Sequence, residues 1–240
     1  ALAQVDGRTL LVLDSADGPL PNLYACGADG VASPVAGVAA DDALPAVEPS
    51  GIWPLDAGHA LLGTFRTGPI LVSRAGAAYA RTGFRATLTS AVAAAAGGEI
   101  VLALMSTGVF HSTDGGRSWT PIATGAADGN KPVTDAMDVA IAGQRILVAD
   151  FNGISIGRDD RWYRSGGAFV EGGGRPNALV EVADDGRGGL WGRDFAGGTW
   201  RQATGGWTAC AQGGVTRLDG EGESLVFATA AGFLHPGDCD

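Results

Sequence analysis

The sequence predicts an all-β fold, a single six-bladed β-propeller of four-stranded antiparallel blades. The last blade either stays three-stranded or is completed by an N-terminal segment. Glycine accounts for 40 of the 240 residues, and short apolar runs bounded by turn residues recur along the chain. High glycine content without a collagen-like period indicates many tight turns, and 45% hydrophobic residues argue against disorder. A strand–glycine–strand unit recurs about every 45 residues, which is the length of a propeller blade.

Each repeat consists of an apolar strand, a glycine and a second apolar strand. The clearest copy is residues 99–111, and another is residues 145–156. A shorter strand ending in a glycine turn precedes each copy, and in most copies the turn contains Asp-Gly or Gly-Gly, pairs that supply the positive φ angles of tight hairpins. A fourth strand follows, as at residues 161–165. The glycines at the centres of the six copies are Gly18, Gly68, Gly108, Gly153, Gly198 and Gly232.

One domain is expected over residues 1–240, because no linker or change of composition marks a second. Stacking the blades face to face buries both surfaces of each twisted sheet. A solenoid or a sandwich fits the repeat length less well, and one domain of a longer protein is an alternative. The approximate blades are residues 1–40, 48–85, 90–127, 134–167, 177–208 and 213–240.

Charge and hydropathy exclude several classes of partner. The formal net charge of −10 opposes binding to nucleic acid or to an anionic lipid surface. No apolar run approaches the roughly 20 residues of a membrane-spanning helix. The opening Ala1-Leu2-Ala3 is typical of the end of a secretory signal peptide, although these residues could equally begin the first strand. We therefore expect a periplasmic or extracellular protein.

One segment carries a specific motif, Ser112-Thr-Asp114-Gly-Gly116-Arg-Ser-Trp119. Its spacing predicts a tight hairpin in which the Asp114 carboxylate accepts hydrogen bonds from turn amides. Gly116 permits a left-handed conformation, and Trp119 is expected to pack between blades. A metal-binding role for Asp114 is disfavoured, since no second carboxylate lies close in sequence.

This motif resembles the Asp-box, also called the BNR repeat, of sialidase-like propellers and of propellers related to photosystem II assembly factors. The resemblance covers one blade completely and implies a propeller fold in which Asp-boxes lie on the periphery, away from the binding face. It also implies an accessory or assembly subunit of a larger membrane-bound complex, for example a photosynthetic one. The sialidase family's Phe/Tyr-Arg-Ile/Leu-Pro motif is missing from the sequence.

The three cysteines are Cys26, Cys210 and Cys239. The first and last blades adjoin in a closed ring, so a Cys26–Cys239 disulfide would join them and would suit an oxidising compartment. Pairing of Cys210 with Cys239 competes with it, and three buried thiols are a further alternative. No paired Cys or His spacing suggests zinc or haem, and we expect no metal or cofactor.

No catalytic residue set is recognisable, so the sequence favours a non-enzymatic module that binds other protein subunits. The alternative is a carbohydrate-binding or degenerate sialidase-like domain. Trp53, in a loop-like Gly-Ile-Trp-Pro segment, and Tyr163, directly after Trp162, are candidates for an exposed binding surface. Core packing is the alternative role for most of the tryptophans.

Overall fold

A computed structural model gives the fold of the chain. The structure describes residues 2–5, 8–12, 23–27, 29–34, 49–56, 58–65, 68–72, 79–84, 88–95, 98–122, 133, 135–150, 153–158, 161–165, 179–187, 189–203, 206–210, 214–219 and 222–239. The chain forms two compact units, Ala1–Pro121 and Ile122–Asp240. Each unit is described by itself.

The first unit contains three four-stranded antiparallel sheets, each with its strands in sequence order. Short apolar strands joined by glycine-containing turns explain this meander, because tight hairpins connect neighbouring antiparallel strands. The first sheet comprises β1 (Leu2–Val5), β2 (Arg8–Val12), β3 (Leu23–Cys26) and β4 (Ala32–Pro34). The second comprises β5 (Pro49–Asp56), β6 (His59–Thr64), β7 (Ile70–Val72) and β8 (Tyr79–Arg81). The third comprises β9 (Thr89–Ala94), β10 (Ile100–Leu104), β11 (Gly108–Ser112) and β12 (Thr120–Ile122), whose last residue reaches the second unit.

The second unit contains two further four-stranded sheets and one with three strands. The fourth sheet comprises β13 (Asp138–Ala142), β14 (Arg145–Asp150), β15 (Gly153–Arg158) and β16 (Arg161–Ser165). The fifth comprises β17 (Leu179–Asp184), β18 (Leu190–Asp194), β19 (Thr199–Ala203) and β20 (Gly206–Ala209). The sixth comprises β21 (Val215–Asp219), β22 (Val226–Thr229) and β23 (Gly232–Leu234), with 3-10 turns at Gly222–Ser224 and Pro236–Cys239.

The prediction of six four-stranded blades is therefore corrected to five. Among the described residues, the sixth sheet has three strands, and β1 pairs with β2 in a sheet of its own instead of completing the last one. The stretch after β23 turns into a 3-10 helix containing Pro236. Proline lacks the N–H that a sheet ladder needs, so this stretch ends the meander.

The core of each unit lies between successive sheets. In the first unit β1 packs on β5 and β5 packs on β9, and in the second β13 packs on β17 and β17 packs on β21. The second strands of the second to fifth sheets are largely buried, and in β10 all five residues are buried. A strand covered on both faces reads as a continuous apolar run instead of an alternation. This explains the run Ile-Val-Leu-Ala-Leu of β10.

Candidate functional site

The predicted turn at Ser112–Trp119 has the expected hydrogen bonds. Oδ1 of Asp114 accepts bonds from the N–H groups of Arg117 and Ser118 at 3.0 and 2.9 Å, and Oδ2 accepts the Ser118 hydroxyl at 2.5 Å. The Ser112 hydroxyl donates to Oδ1 of Asp114 at 2.9 Å and accepts the Gly116 N–H at the same distance. Gly116 has a φ of 83°, which L side chains rarely adopt.

Trp119 ties this turn to the core of the first unit. Its indole nitrogen donates to the Gly116 carbonyl at 3.0 Å, and its ring centre lies 6.1 Å from that of Phe84. The hydrogen bonds, first those from the Ser118 hydroxyl and N–H, hold the pKa of the Asp114 carboxyl well below its ordinary 3.8. Both carboxylate oxygens therefore have structural partners, and the turn has no arrangement for chemistry. Its assignment to the Asp-box family stays a prediction.

A second kind of aspartate-centred turn occurs twice in the fifth sheet. Oδ1 of Asp185 accepts the N–H groups of Arg187 and Gly189 at 2.9 and 2.8 Å, and Oδ2 accepts the indole N–H of Trp191 at 3.2 Å. In the next turn, Oδ1 of Asp194 accepts the N–H groups of Ala196 and Gly198 at 3.0 and 2.7 Å. The indole N–H of Trp200 completes this turn by donating to Oδ2 of Asp194 at 2.8 Å.

Both turns have the sequence Asp-x-x-x-Gly-x-Trp, a spacing that the sequence analysis missed. The glycine is needed because a Cβ at Gly189 would overlap Oδ2 of Asp185. Asp185 and Asp194 are buried, with 6% and 4% exposure. Burial acts to raise the pKa of Asp185, but bonds from the amides, then the indole, outweigh it and lower that pKa.

A cavity of about 310 Å³ lies beside the first of these turns, between the fifth and sixth sheets. Trp191 forms part of its lining, and the guanidinium carbon of Arg201 lies 5.5 Å from the centre of the Trp191 ring. The remaining lining includes Asp185, Arg187, Glu223 and His235. The cavity therefore brings two arginines and a histidine together with two acids, and no single one of these residues suggested the site in the sequence.

Carboxylates on the first strands of the second unit bond to the neighbouring sheet. Oδ2 of Asp138 accepts the N–H of Val182 at 2.8 Å, and Oε2 of Glu181 accepts the N–H of Leu218 at 2.7 Å. Glu181 also accepts two bonds from the guanidinium of Arg193, at 2.8 and 3.1 Å. Because each carboxylate joins two successive sheets, these bonds fix the packing between sheets.

The environment of Asp138 shifts its proton affinity. Removal of its carboxyl from water raises the pKa from 3.8 to about 7, and the nearby Glu181 adds to this effect. The hydrogen bond from Val182 and the charge of Arg217 oppose the rise. Asp138 therefore titrates near neutral pH.

The two predicted surface residues have different environments. Tyr163, on the outer strand β16 of the fourth sheet, is 50% exposed. Trp53 is only partly exposed and packs against the core cluster of Leu61 and Ile100. Its ring covers Gly51 and Gly63, where an added Cβ would lie within 2.6 Å of it. The core role is thus the better description of Trp53, and Tyr163 remains the exposed candidate.

Further aromatic side chains stand in solvent. Phe195, at the tip of the β18–β19 turn, is 69% exposed, and Phe233 on β23 is 72% exposed. Phe65 occupies the corresponding turn after the second strand of the second sheet and is 48% exposed. None of these phenylalanines was predicted to be exposed, because apolar runs do not reveal which turn residues lack a covering partner.

The predicted disulfide between Cys26 and Cys239 is wrong, because Cys26 is a free thiol. Cys210 is disulfide-bonded and packs beside the core cluster of Trp191 and Phe227. The competing pairing of Cys210 with Cys239 is the one compatible with a free Cys26, although the side chain of Cys239 lies outside the described residues. The pairing prediction failed because a disulfide requires the two α-carbons to lie within about 7 Å of each other, a distance that the order of cysteines in the sequence does not reveal.

No group of three or more His, Cys, Asp or Glu side chains that could hold a metal ion occurs in the described part of the chain. His111 lies 3.1 Å from Glu99, and His59 lies 3.0 Å from Asp56. Each of these two histidines therefore has one acidic neighbour. No helix in the described ranges has the length and hydropathy that a membrane crossing requires.

Solved structures share this fold at low sequence identity. The YCF48 structure bound to a D1 peptide is 13% identical, with a TM-score of 0.55, over 80% of this chain and 67% of that one. The extracellular domain of BT3049, provisionally a hybrid two-component system of B. thetaiotaomicron, is 12% identical, with a TM-score of 0.68. The likeness to BT3049 covers 95% of this chain and 32% of that one, so the present chain spans about a third of it. The WD40 β-propeller domain of Doa1 is 6% identical, with a TM-score of 0.55 over 81% of this chain and 67% of that one.

The chain is therefore similar to all-β propellers built of four-stranded antiparallel blades, and this is its fold. No protein-family model matches the sequence, and the comparison with curated proteins finds no match. A structure provisionally classed as a gluconolactonase is also similar, with 14% identity and a TM-score of 0.53 over 97% of this chain and 86% of that one. Likeness at this identity shows the fold alone, and propellers serve both binding and catalysis.

Proposed function

We propose that this propeller is an exported, non-enzymatic binding module whose partners are other proteins, and that it acts as an accessory or assembly subunit of a larger complex. The observation that carries the proposal is the exposure of large aromatic side chains, with Tyr163, Phe195 and Phe233 at least half exposed. Buried aromatic anchors dominate the binding energy of protein interfaces. Side chains of this size lose contact with water when a partner covers them.

The similar structures agree with this proposal. YCF48 is described with a bound peptide, and the BT3049 fragment is an extracellular domain. The disulfide at Cys210 supports export, because disulfides persist in oxidising compartments. A role in a membrane-bound or photosynthetic assembly follows only from the resemblance to assembly-factor propellers.

The non-enzymatic part of the proposal rests on how three acids of the fifth sheet are held. Asp185 and Asp194 accept three hydrogen bonds each within their own turns. Glu181 is held by Arg193 and by the backbone of Leu218. Carboxylates held this way are poorly placed to transfer protons to a substrate.

The carbohydrate-binding alternative has less support. All six tryptophans lie in described segments, and none belongs to the exposed large side chains. Trp162, Trp191, Trp200 and Trp207 are at most 8% exposed. A sugar platform needs an open aromatic face, and within the described ranges only phenylalanines and Tyr163 among the aromatic residues are strongly exposed.

Site-specific photo-cross-linking in the native host tests the proposal. A photoreactive phenylalanine analogue replaces Tyr163 in one variant and Phe195 in another. The matched control carries it at Thr208, which is exposed on the outer strand β20. We expect one defined protein adduct from Tyr163 or Phe195 and none from Thr208. Absence of adducts at both aromatic positions, or the same adducts at Thr208, would overturn the proposal.

A further inference from the structure

The walls of the cavity beside Trp191 all come from one compact unit. The β17–β18 turn supplies Asp185 and Arg187, and β19 supplies Arg201. The first 3-10 turn of the sixth sheet supplies Glu223, and His235 lies directly before the second 3-10 turn. The β17–β18 turn touches the first 3-10 turn closely, since a Cβ at Gly186 would lie 2.9 Å from the α-carbon of Gly222. No side chain larger than that of glycine fits between the two turns at this point.

The base of the cavity holds a fixed positive charge. The guanidinium of Arg201 lies over the ring of Trp191, which is 1% exposed, and the same indole is anchored to Asp185 by its N–H. Stacking over an aromatic ring orients a guanidinium. A ligand group entering the cavity therefore meets a guanidinium whose plane is already set.

Two further cationic or donor groups face the cavity without partners. Within the described residues, the side chains of Arg187 and His235 make no hydrogen bond or ion pair. Asp185 keeps its negative charge, but its carboxylate oxygens already accept bonds from two amides and the Trp191 indole. Glu223 is exposed and, in the described part of the lining, is the one acid with a free carboxylate.

We propose that this cavity binds a carboxylate group of a peptide, supplied by an acidic side chain or by a chain terminus. Arginine matches a carboxylate by two parallel hydrogen bonds. The lining carries two arginines and two acids, and this near balance favours a monoanion over a phosphate dianion or a polyanion. The volume of about 310 Å³ is at the lower end of ligand pockets, which suits a short peptide segment. The inference that the carboxylate belongs to a peptide rests on the proposed function.

Titration of the whole chain with two small probes tests this site by NMR of the arginine Nε–Hε groups. The first probe is N-acetyl-Gly-Gly-Glu with both carboxyl groups free. The second is its neutral analogue, with glutamine at the last position and a C-terminal amide. We expect saturable shifts at Arg187 and Arg201 with the charged peptide and none with the neutral one. Inorganic phosphate and glucuronate serve as competing anions.

Variants complete the test. Arg187→Gln is expected to weaken binding of the charged peptide about tenfold, the loss of one charge-assisted contact. Arg117→Gln removes the same charge from an exposed residue that does not line the cavity, and it should leave the affinity unchanged. Equal responses to both peptides, or unchanged affinity in Arg187→Gln, would overturn the site. Tighter binding of phosphate or glucuronate than of the peptide would overturn the ligand class.

The two proposals fail separately. If Tyr163 cross-links to a partner but the arginine resonances do not respond, the cavity proposal fails and the protein-binding function stands. If the cavity binds the charged peptide but no position yields an adduct, the carboxylate site stands and the subunit role fails.

Discussion

The indole nitrogen of Trp200 donates a 2.8 Å hydrogen bond to Oδ2 of Asp194, six residues before it. Trp191 and Asp185 repeat this relation at 3.2 Å. Each pair fastens a hairpin turn to a buried tryptophan, so the turn and the core between sheets are stabilised together. Both turns belong to the fifth sheet, and the Asp185 turn forms one wall of the cavity.

Removal of the Asp194 carboxylate should destabilise the fold strongly. Asp194→Ala leaves the amides of Ala196 and Gly198 and the indole of Trp200 without their acceptor. Unpaired buried donors cost about 1–3 kcal/mol each, partly offset by relaxation. We expect a loss of about 3 kcal/mol in the free energy of unfolding, measured by urea denaturation. A loss below about 0.5 kcal/mol would contradict the role assigned to this turn.

The Asp114 turn should matter less, since its carboxylate is exposed where that of Asp194 is buried. Asp114→Ala also removes acceptors from turn amides, but water can replace them. We expect Asp114→Ala to lower the melting temperature by less than Asp194→Ala does under identical conditions. The reverse order would show that burial is not what distinguishes the two turns.

Stability should fall as the pH rises from about 4 to 7, because Asp138 keeps its proton in the folded chain after the unfolded chain has lost it. Asp138→Asn keeps an acceptor for the Val182 N–H and removes the titration. We expect this variant to be more stable than the parent at pH 8 by on the order of 1–3 kcal/mol, and nearly equal at pH 4. Chemical denaturation of both proteins across this pH range measures the difference in their free energies of unfolding. If that difference did not change with pH, the raised pKa of Asp138 would be refuted.

Alkylation should distinguish the free cysteine, Cys26, from the disulfide-bonded Cys210. In the native, unreduced protein, Cys26 is expected to react after unfolding without any reductant, because it is a free thiol. Cys210 should react only after reduction. The protein is unfolded in the presence of iodoacetamide, and peptide mass spectrometry then shows whether each of the two cysteines is alkylated. Labelling of Cys210 without reductant would contradict the bonded state.

Local signals in the sequence predicted most of the architecture. Apolar runs separated by glycine turns specify antiparallel strands, and the spacing from Ser112 to Trp119 specified a turn whose bonds run through Asp114. The Asp185 turn was missed because Asp185-Gly186 was interpreted as an ordinary hairpin pair, and both turns were missed because their tryptophans were interpreted as core residues. Their shared spacing of Asp, Gly and Trp was available as a signal.

The features that failed depend on contacts between distant segments. The disulfide of Cys26 was inferred from an assumed junction of the chain ends, and the three-stranded sixth sheet was counted as a blade. Trp53 looked loop-like beside Pro54, yet Gly51 and Gly63 leave room for its ring against the core. The cavity arises only when the turn at Asp185 meets the 3-10 turns of the sixth sheet, and no short sequence window contains all of these residues.

The central claim is that the chain works in association with other proteins through its exposed aromatic residues. The most direct measurement is size-exclusion chromatography of gently solubilised host cells, with mass spectrometry of each fraction, for the native chain and a Tyr163→Ser/Phe195→Ser variant. We predict that the native chain elutes in a larger assembly at a fixed ratio to its partner. The variant, with an unchanged melting temperature, should elute as a monomer. A native chain recovered as a lone monomer would contradict the account.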